Sequence, residues 1–221
     1  QFWMRSNELV SEVNEIQENK QYLPGYSLSK KVVATANMSD AVKKASLIFV
    51  AVPSSSFREV VKQIVVFAPD DAMLISTTKG IEPGNFKLMS QVLHEESPSS
   101  GIGVLSGPNL AKEIASKHPT GTVIASNNEQ IRETVKDVLR SDTFRVYTND
   151  DMFGIELGGS LKNIYAIIAG LAASIGTGHN TNSMLVTRAL AEMARFGREL
   201  GADPMTFLGL AGVGDLVVTC S

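Results

Sequence analysis

SLIFVAVPSSSF, residues 46–57, places an unbroken apolar run directly before a proline and three serines. A run that is apolar at every position, with no alternation, is typical of a strand buried on both faces of a sheet. The next residues, from Phe57 to Phe67, have the spacing of an amphipathic helix. The segment therefore predicts a strand followed by a helix, which is the repeating unit of a parallel α/β sheet.

The same alternation continues to about residue 150. Strands are predicted for AMLISTT (72–78), GIGVLSG (101–107) and GTVIAS (121–126), and helices for residues 86–96, 110–117 and 129–139. Near the start, FWMRSNE (2–8) has the pattern of a strand that runs into a helix. We therefore expect an α/β fold over residues 1–155, with a Rossmann-like, doubly wound and mostly parallel sheet.

From about residue 151 the strand signals stop. Glycine-punctuated helical patterns cover roughly residues 159–173, 183–200 and 204–208, so an all-helical domain is predicted for residues 156–221. The most apolar run, residues 164–175, is shorter than the roughly 20 residues that a membrane-spanning helix needs. It predicts a buried core helix and no integral membrane segment.

Composition narrows the class of protein. The chain has 221 residues, of which 43% are hydrophobic and 19% charged, as in soluble globular domains. A net charge of −3 provides no general attraction to nucleic acid. The single cysteine, Cys220, and three dispersed histidines predict no metal site and no disulfide, which favours a reducing compartment such as the cytoplasm. The chain does not begin with methionine, and we expect that its start is truncated.

Several polar residues follow predicted strands, where ligands bind in doubly wound sheets. Lys79, in TTKG (77–80), could meet an anion there or could be a solvated lysine in a turn. SGPNLAKE (106–113) ends a strand and begins a helix, so its backbone N–H groups suit a phosphate or carboxylate, although many βα turns are built this way.

Two charged residues lie in apolar parts of the helical half. Lys162, in IELGGSLKNIYAIIAG (155–170), has no carboxylate three or four residues away. It either extends its ammonium to solvent or is desolvated, and a desolvated lysine can transfer protons near neutral pH. Asp215, in GVGDLVVTC (212–220), either pairs with a buried cation or serves as a helix cap or structural salt bridge.

Arg5 and Ser6 occupy the place where a dinucleotide-binding fold keeps an acidic residue for the ribose 2′-hydroxyl. An arginine there suits a 2′-phosphate, so NADP is favoured over NAD. The glycine-rich GxGxxG loop of such folds would precede residue 1.

Seven segments together identify a family resemblance. They are VPSSSF, TTKG, SGPNLAKE, FRVYTNDD (144–151), GIELGGSLKNIYAIIAG, TRALAEMARFG (187–197) and GLAGVGDLVVTC (209–220). In this order they resemble the NAD(P)-dependent glycerol-3-phosphate dehydrogenases of the bacterial and plastid type. The resemblance implies a two-domain cytoplasmic enzyme, or a plastid one if a transit peptide preceded residue 1, that interconverts dihydroxyacetone phosphate and sn-glycerol 3-phosphate for glycerolipid synthesis, with a homodimer left open.

The resemblance also implies roles for particular residues. Lys162 would be the catalytic proton donor and acceptor at C2 of the substrate, a phosphorylated triose. The implied substrate contacts are Lys79, Gly107, Asn109, Lys162 and Asp215, and the implied cofactor contacts are Arg5, Pro53, Phe57, Lys79 and Ala111. Asn109 replaces the family's usual serine or threonine, and the family's serine-arginine-asparagine segment, which grips the phosphate, would lie beyond Ser221.

Two other functions remain open. Hydroxyacid and ketopantoate dehydrogenases share the predicted architecture, but they commonly carry an asparagine four residues after the lysine. In this chain position 166 is alanine, and the asparagine is adjacent to the lysine, at position 163. A chain without the glycine loop could also be an inactive dinucleotide-binding fragment.

Overall fold

The computed structural model describes residues 1–220. Strands and helices alternate through most of the first part of the chain, except that three short strands between residues 18 and 35 follow one another without a helix. Within residues 150–220 the elements are all helices. The strands are β1 (Phe2–Trp3), β2 (Glu18–Asn19), β3 (Leu23–Ser27), β4 (Ala34–Thr35), β5 (Leu47–Val50), β6 (Met73–Ser76), β7 (Gly101–Ser106), β8 (Thr120–Ala125) and β9 (Phe144–Asn149). The α-helices are α1 (Asn7–Ile16), α2 (Met38–Val42), α3 (Ser54–Val65), α4 (Met89–Glu96), α5 (Ala111–Ala115), α6 (Glu129–Leu139), α7 (Met152–Ser174), α8 (His179–Glu199) and α9 (Asp215–Cys220).

The main sheet has the strand order β5-β6-β7-β8-β9. All neighbouring pairs are parallel except β7 and β8, which are antiparallel. A parallel return needs a long crossover that packs on the sheet, whereas α5 has five residues and buries none of them. The mostly parallel Rossmann-like sheet is thus confirmed, with β8 and β9 both running opposite to β5–β7, and β9 is a strand that the sequence pattern did not predict.

A second, two-stranded sheet pairs β1 with β4 in parallel. The strand and helix predicted for residues 2–8 are present as β1 and the start of α1, whose N-cap is Ser6. Met4, Val13 and Ala34 form a small core of their own beside this sheet. A cavity of about 370 Å³ is lined by residues of both sheets, including Trp3, Ile48 and Phe49.

Helices cover both faces of the main sheet. On one face, Phe57 of α3 and Leu93 of α4 pack against Leu74 of β6. On the other face, Val135 of α6 packs against Ile124 of β8. Because both faces are covered, the central strands are apolar along their whole length, as their sequences predicted.

Helices α7 and α8 form most of the second part of the chain, followed by a 3-10 helix (Pro204–Leu208), a π-helix (Leu210–Gly214) and α9. Phe207 is fully buried against α8, where a Cβ at Gly197 would collide with its ring. The predicted division between residues 155 and 156 falls inside α7, and that division stays a prediction.

The prediction of a buried core helix for residues 164–175 is wrong. Ile167 and Ile175 are each 74% exposed and Leu171 is 64% exposed. Helix α8 packs along only one side of α7, so Ala169 is buried while the opposite side is left uncovered. Within residues 1–220, no helix is both long and apolar enough to cross a bilayer.

Arg58, on α3, joins this helix to the segment after β6 and to α4. Its guanidinium donates to Glu82, which lies between β6 and α4, and to Glu95 and Glu96 on α4. The hydrogen bonds from Arg58 lower the pKa of Glu82 to about 2. The cluster therefore stabilises the fold at every pH at which Glu82 is ionised.

We predict that Arg58→Met lowers the free energy of unfolding at pH 7 by about 1.5–3 kcal/mol, because charged hydrogen bonds are lost. The folded pKa of Glu82 is depressed from 4.5 to about 2, so its contribution is present above pH 4.5 and disappears as the pH falls toward 2. Urea unfolding from pH 7 to pH 2 should show the difference from wild type shrinking over this window. Arg140→Met, at an exposed i,i+3 pair, is the control, and equal losses in the two variants would contradict the assignment.

Candidate active site

Strands β5, β6 and β7 are parallel neighbours, so their carboxyl ends lie at one edge of the sheet. Pro53, Lys79 and Gly107 each follow one of these strands. The turns also contact one another, because Thr78 Oγ1 donates to the carbonyl of Val52 at 2.7 Å. This edge carries most of the residues that the sequence analysis selected.

Lys79 reaches across the edge toward the helical part of the chain. Its Nζ donates to the carbonyl oxygen of Gly107 at 3.0 Å and to Asp215 Oδ2 at 2.6 Å. Burial lowers the pKa of Lys79, and the nearby Asp215 carboxylate partly opposes that effect. The alternative of a solvated lysine in a turn does not describe this structure.

Lys162 lies on α7 and is only 7% exposed. Its Nζ donates to Asp215 Oδ1 at 2.5 Å and to Thr219 Oγ1 at 2.7 Å. Both partners come from α9, which explains why no carboxylate was found within one turn of Lys162 on its own helix. The interpretation that Lys162 extends to solvent is wrong.

Glycines let α7 approach its neighbours closely at this point. A Cβ at Gly158 would lie 3.0 Å from the carbonyl oxygen of Ala211, and one at Gly159 would lie 3.0 Å from Ser106 Oγ. A Cβ at Gly159 would also lie 3.6 Å from Lys79 Cγ. Small residues are therefore needed where α7 passes the sheet edge and the π-helix.

Asp215, at the start of α9, is 1% exposed and accepts a hydrogen bond from each lysine. The pairing of Asp215 with a buried cation, Lys162, is thereby observed. Two ammonium groups share one carboxylate, so the cluster carries an excess positive charge. A cluster of this kind suits an anionic ligand, because a buried unbalanced charge is costly.

Gly107 adopts φ +150°, and a Cβ there would lie 3.2 Å from Thr122 Cα. Asn109 Nδ2 donates to Thr122 Oγ1 at 2.8 Å. Within residues 1–220, the buried oxygens Asn109 Oδ1 and Ser106 Oγ have no hydrogen-bond partner. Both atoms are almost completely enclosed by the chain, so the structure does not show them open to a ligand, and the substrate contact of Asn109 stays a prediction.

The residues predicted to contact the cofactor are more dispersed. Arg5 is exposed between β1 and α1, Pro53 is exposed at the N-cap of α3, and Ala111 is exposed as the first residue of α5. Phe57 is different, because its side chain is 0% exposed and belongs to the main-sheet core. Its placement therefore does not support the predicted cofactor contact.

Some residues of the site were not singled out from the sequence. Thr219 binds Lys162 Nζ, and Ser160 contacts the backbone of Gly80. The sequence could have indicated Thr219, because it lies four residues after Asp215 and residues four apart share a helix face. No cluster of three or more His, Cys, Asp or Glu side chains in residues 1–220 could hold a metal ion.

We predict that Asp215→Asn lowers the free energy of unfolding by about 3–5 kcal/mol, because removing the carboxylate leaves the buried Lys162 and the partly buried Lys79 unbalanced. Urea unfolding at pH 7 measures the loss. Asp40→Asn is the matched control, since Asp40 pairs with Lys43 at the surface and should change stability by less than about 1 kcal/mol. A similarly small loss for Asp215→Asn would show that this cluster does not stabilise the fold.

Family models match both parts of the chain. The model described as NAD-dependent glycerol-3-phosphate dehydrogenase N-terminus matches residues 1–132, and the model of the C-terminus of the same family matches residues 151–221. Together these matches include the strand edge that carries Lys79 and the helices that carry Lys162 and Asp215.

Individual proteins agree with the family models. Glycerol-3-phosphate dehydrogenase [NAD(P)+] of Alcanivorax borkumensis is 55% identical over 99% of this chain, which spans 64% of that protein. The Saccharophagus degradans protein of the same name is 52% identical over 99% of this chain, which spans 61% of it. The crystal structure of a glycerol-3-phosphate dehydrogenase from Coxiella burnetii is 36% identical, with a TM-score of 0.94 over 99% of this chain and 67% of that one. The chain therefore belongs to the NAD-dependent glycerol-3-phosphate dehydrogenase family.

Proposed function

We propose that these residues form the catalytic centre of a glycerol-3-phosphate dehydrogenase that interconverts dihydroxyacetone phosphate and sn-glycerol 3-phosphate. The observation that carries the proposal is the cluster in which Asp215 bridges Lys79 and Lys162. Its excess positive charge lies at the sheet edge where doubly wound folds bind ligands. The activity is a proposal for experiment, because the chain spans less than two thirds of these curated relatives.

Lys162 is the proton donor in this proposal. Reduction of a ketone creates an alkoxide, which needs a proton and a positive field at its oxygen. Asp215 and Thr219 fix the Lys162 ammonium, and Lys79 adds a second positive charge beside it. Oxidation runs the same transfer in reverse, with Lys162 accepting the proton. Asn109 would also contact the substrate in this proposal, as the family resemblance implies.

The cofactor is a nicotinamide dinucleotide, which supplies the hydride when bound. Arg5, Pro53, Lys79 and Ala111 would hold it, and their positions fit this role because each is at least partly accessible and follows a strand or begins a helix. NADP is favoured over NAD because the Arg5 guanidinium precedes the N-terminus of α1 and can pair with a 2′-phosphate.

Two further features complete the proposal. We infer a cytoplasmic enzyme, which the unpaired Cys220 supports. We also infer a homodimer. The exposed apolar side of α7 supports this inference, because it is a surface that a partner subunit could bury. Sedimentation velocity at micromolar concentration tests the homodimer, and a monomer would contradict it.

The test of function compares substrates. The 221-residue chain, and a chimera in which it replaces the matching segment of the Alcanivorax borkumensis enzyme, are assayed with NADPH and NADH. Turnover of dihydroxyacetone phosphate by either protein supports the proposal. If only the chimera turns over, the 221-residue chain by itself is an inactive dinucleotide-binding fragment. Turnover only with ketopantoate or β-keto acids favours the other dehydrogenases. No turnover by either protein overturns the proposal.

We predict that Lys162→Ala lowers kcat of the chimera by about 10²–10⁴-fold, because the positioned proton donor is lost. Cofactor affinity, measured by fluorescence titration of NADPH, should change little. Lys136→Ala is the control, since Lys136 pairs with Glu133 on the outer side of α6. Near-wild-type turnover in Lys162→Ala would rule out the assigned role.

We predict that Arg5→Ala raises the KM for NADPH about 10-fold or more, because an ion pair with the 2′-phosphate is lost at a cost of about 1.5–3 kcal/mol. The KM for NADH should stay unchanged, since that cofactor carries no 2′-phosphate. Arg145→Ala, on the exposed side of β9, is the matched control. If both cofactors weaken equally, Arg5 does not determine the preference for NADP.

A further inference from the structure

A buried carboxyl group joins α7 to the start of α4. Helix α4 has Leu88 at its N-cap, and leucine has no side-chain oxygen to accept the free N–H groups of the first turn. Glu156 of α7 supplies that acceptor, because the N–H of Ser90 donates to its Oε1 at 3.0 Å and the Ser90 hydroxyl donates to its Oε2. Glu156 is 3% exposed, so the contact is a buried one.

A second contact is made one turn further along α7. Ser160 Oγ accepts a hydrogen bond from the N–H of Gly80 at 3.3 Å and lies 3.2 Å from the carbonyl oxygen of Gly80. Gly80 directly follows Lys79. Helix α7 therefore holds the segment between β6 and α4 at both ends, beside Lys79 and at the first turn of α4.

Burying the carboxyl group of Glu156 costs desolvation free energy, so the need to fill space does not explain why a carboxyl group stands there. Burial raises the pKa of Glu156 to about 7, and no ion pair reaches it in the part of the chain that the structure describes. An apolar side chain of similar size would avoid this desolvation. A carboxyl group at this position gives a directed contact, which an apolar residue could not provide.

Helix α7 also carries Lys162, two residues after Ser160. The two lysines must both reach Asp215, with Nζ to oxygen distances of 2.6 Å for Lys79 and 2.5 Å for Lys162. Any shift of α7 relative to the β6–α4 segment would move one ammonium group away from the carboxylate. The Glu156 and Ser160 contacts oppose such a shift.

We propose that Glu156 is a positioning residue, which, together with Ser160, sets the placement of Lys79 relative to Lys162 by anchoring α7 to the β6–α4 segment. Its effect on catalysis rests on the proposed function, whereas its effect on Lys79 does not. Glu156 touches neither the lysines nor the substrate in this assignment, and it acts through helix placement.

The test compares Glu156→Met, which keeps the side-chain volume without an acceptor, with Glu156→Gln, which keeps an oxygen and mimics the neutral acid. Asp151→Asn is the matched control, because Asp151 accepts from Asp203 and Thr206 and anchors the same helix to a different segment. Two readouts are measured in the chimera at temperatures well below unfolding. The first is the rate at which an amine-reactive reagent modifies Lys79, monitored by peptide mass spectrometry. The second is kcat together with KM for the cofactor.

We expect Glu156→Met to raise the modification rate of Lys79 several-fold and to lower kcat by about 10²-fold, as misplacement of a reacting group by about 1 Å can do. KM for the cofactor should change little, Glu156→Gln should restore both values toward wild type, and Asp151→Asn should leave the Lys79 rate unchanged. If Glu156→Met does not fold, Ser160→Ala replaces it and should raise the Lys79 rate in the same direction.

Two results would overturn the proposal. The first is a lower melting temperature in Glu156→Met with wild-type Lys79 reactivity and kcat, which indicates a structural role only. The second is an equal rise in Lys79 reactivity in Glu156→Met and Asp151→Asn, which indicates general loosening. If the unsubstituted chimera has no turnover, the proposed function fails, and the Lys79 modification rates still decide whether Glu156 is a positioning residue.

Discussion

Asp215 is a carboxylate almost completely removed from solvent, and it must be balanced by cations wherever the chain places it. Lys79 arrives from the end of β6 and Lys162 from α7, so the sheet and the helices meet at this one side chain. Breaking such a cluster leaves charges in a poorly solvated place, which makes the relative position of the two parts a matter of electrostatics as well as packing. The arrangement also leaves one positive charge unmatched, which suits an anionic ligand.

The rest of the site follows from the need to bring α7 close to the sheet edge. Gly158 and Gly159 remove the side chains that would otherwise hold the helix away from Ala211 and Ser106. Ser160 and Glu156 then contact the segment that begins with Lys79 and ends in α4. One helix therefore combines close approach, anchoring and the buried Lys162, which explains why its sequence mixes glycine, serine and charge within a short apolar stretch.

The sequence patterns predicted some elements better than others. Continuous apolar runs located the strands β5 to β8, because burial on both faces leaves no polar position. The direction of β8 was not predictable from its own residues, since it depends on how the short α5 connection packs. The apolar run after Lys162 was misinterpreted as core, because hydrophobicity indicates that a surface needs a cover without showing which element provides it. Phe57 was assigned from its position in a motif, and only the packed sheet shows its ring enclosed by the core.

By itself, the sequence determined the alternation of strands and helices, the family resemblance, and the candidate set of Lys79, Gly107, Asn109, Lys162 and Asp215. These features depend on residue type and short spacing, which a linear pattern preserves. Only the tertiary structure decided that Lys162 is buried and paired, because its partner lies 53 residues away on another helix. It also decided the roles of Glu156 and Ser160 as contacts of the β6–α4 segment. Interactions between distant segments depend on how helices pack against the sheet, and no local sequence pattern encodes that packing.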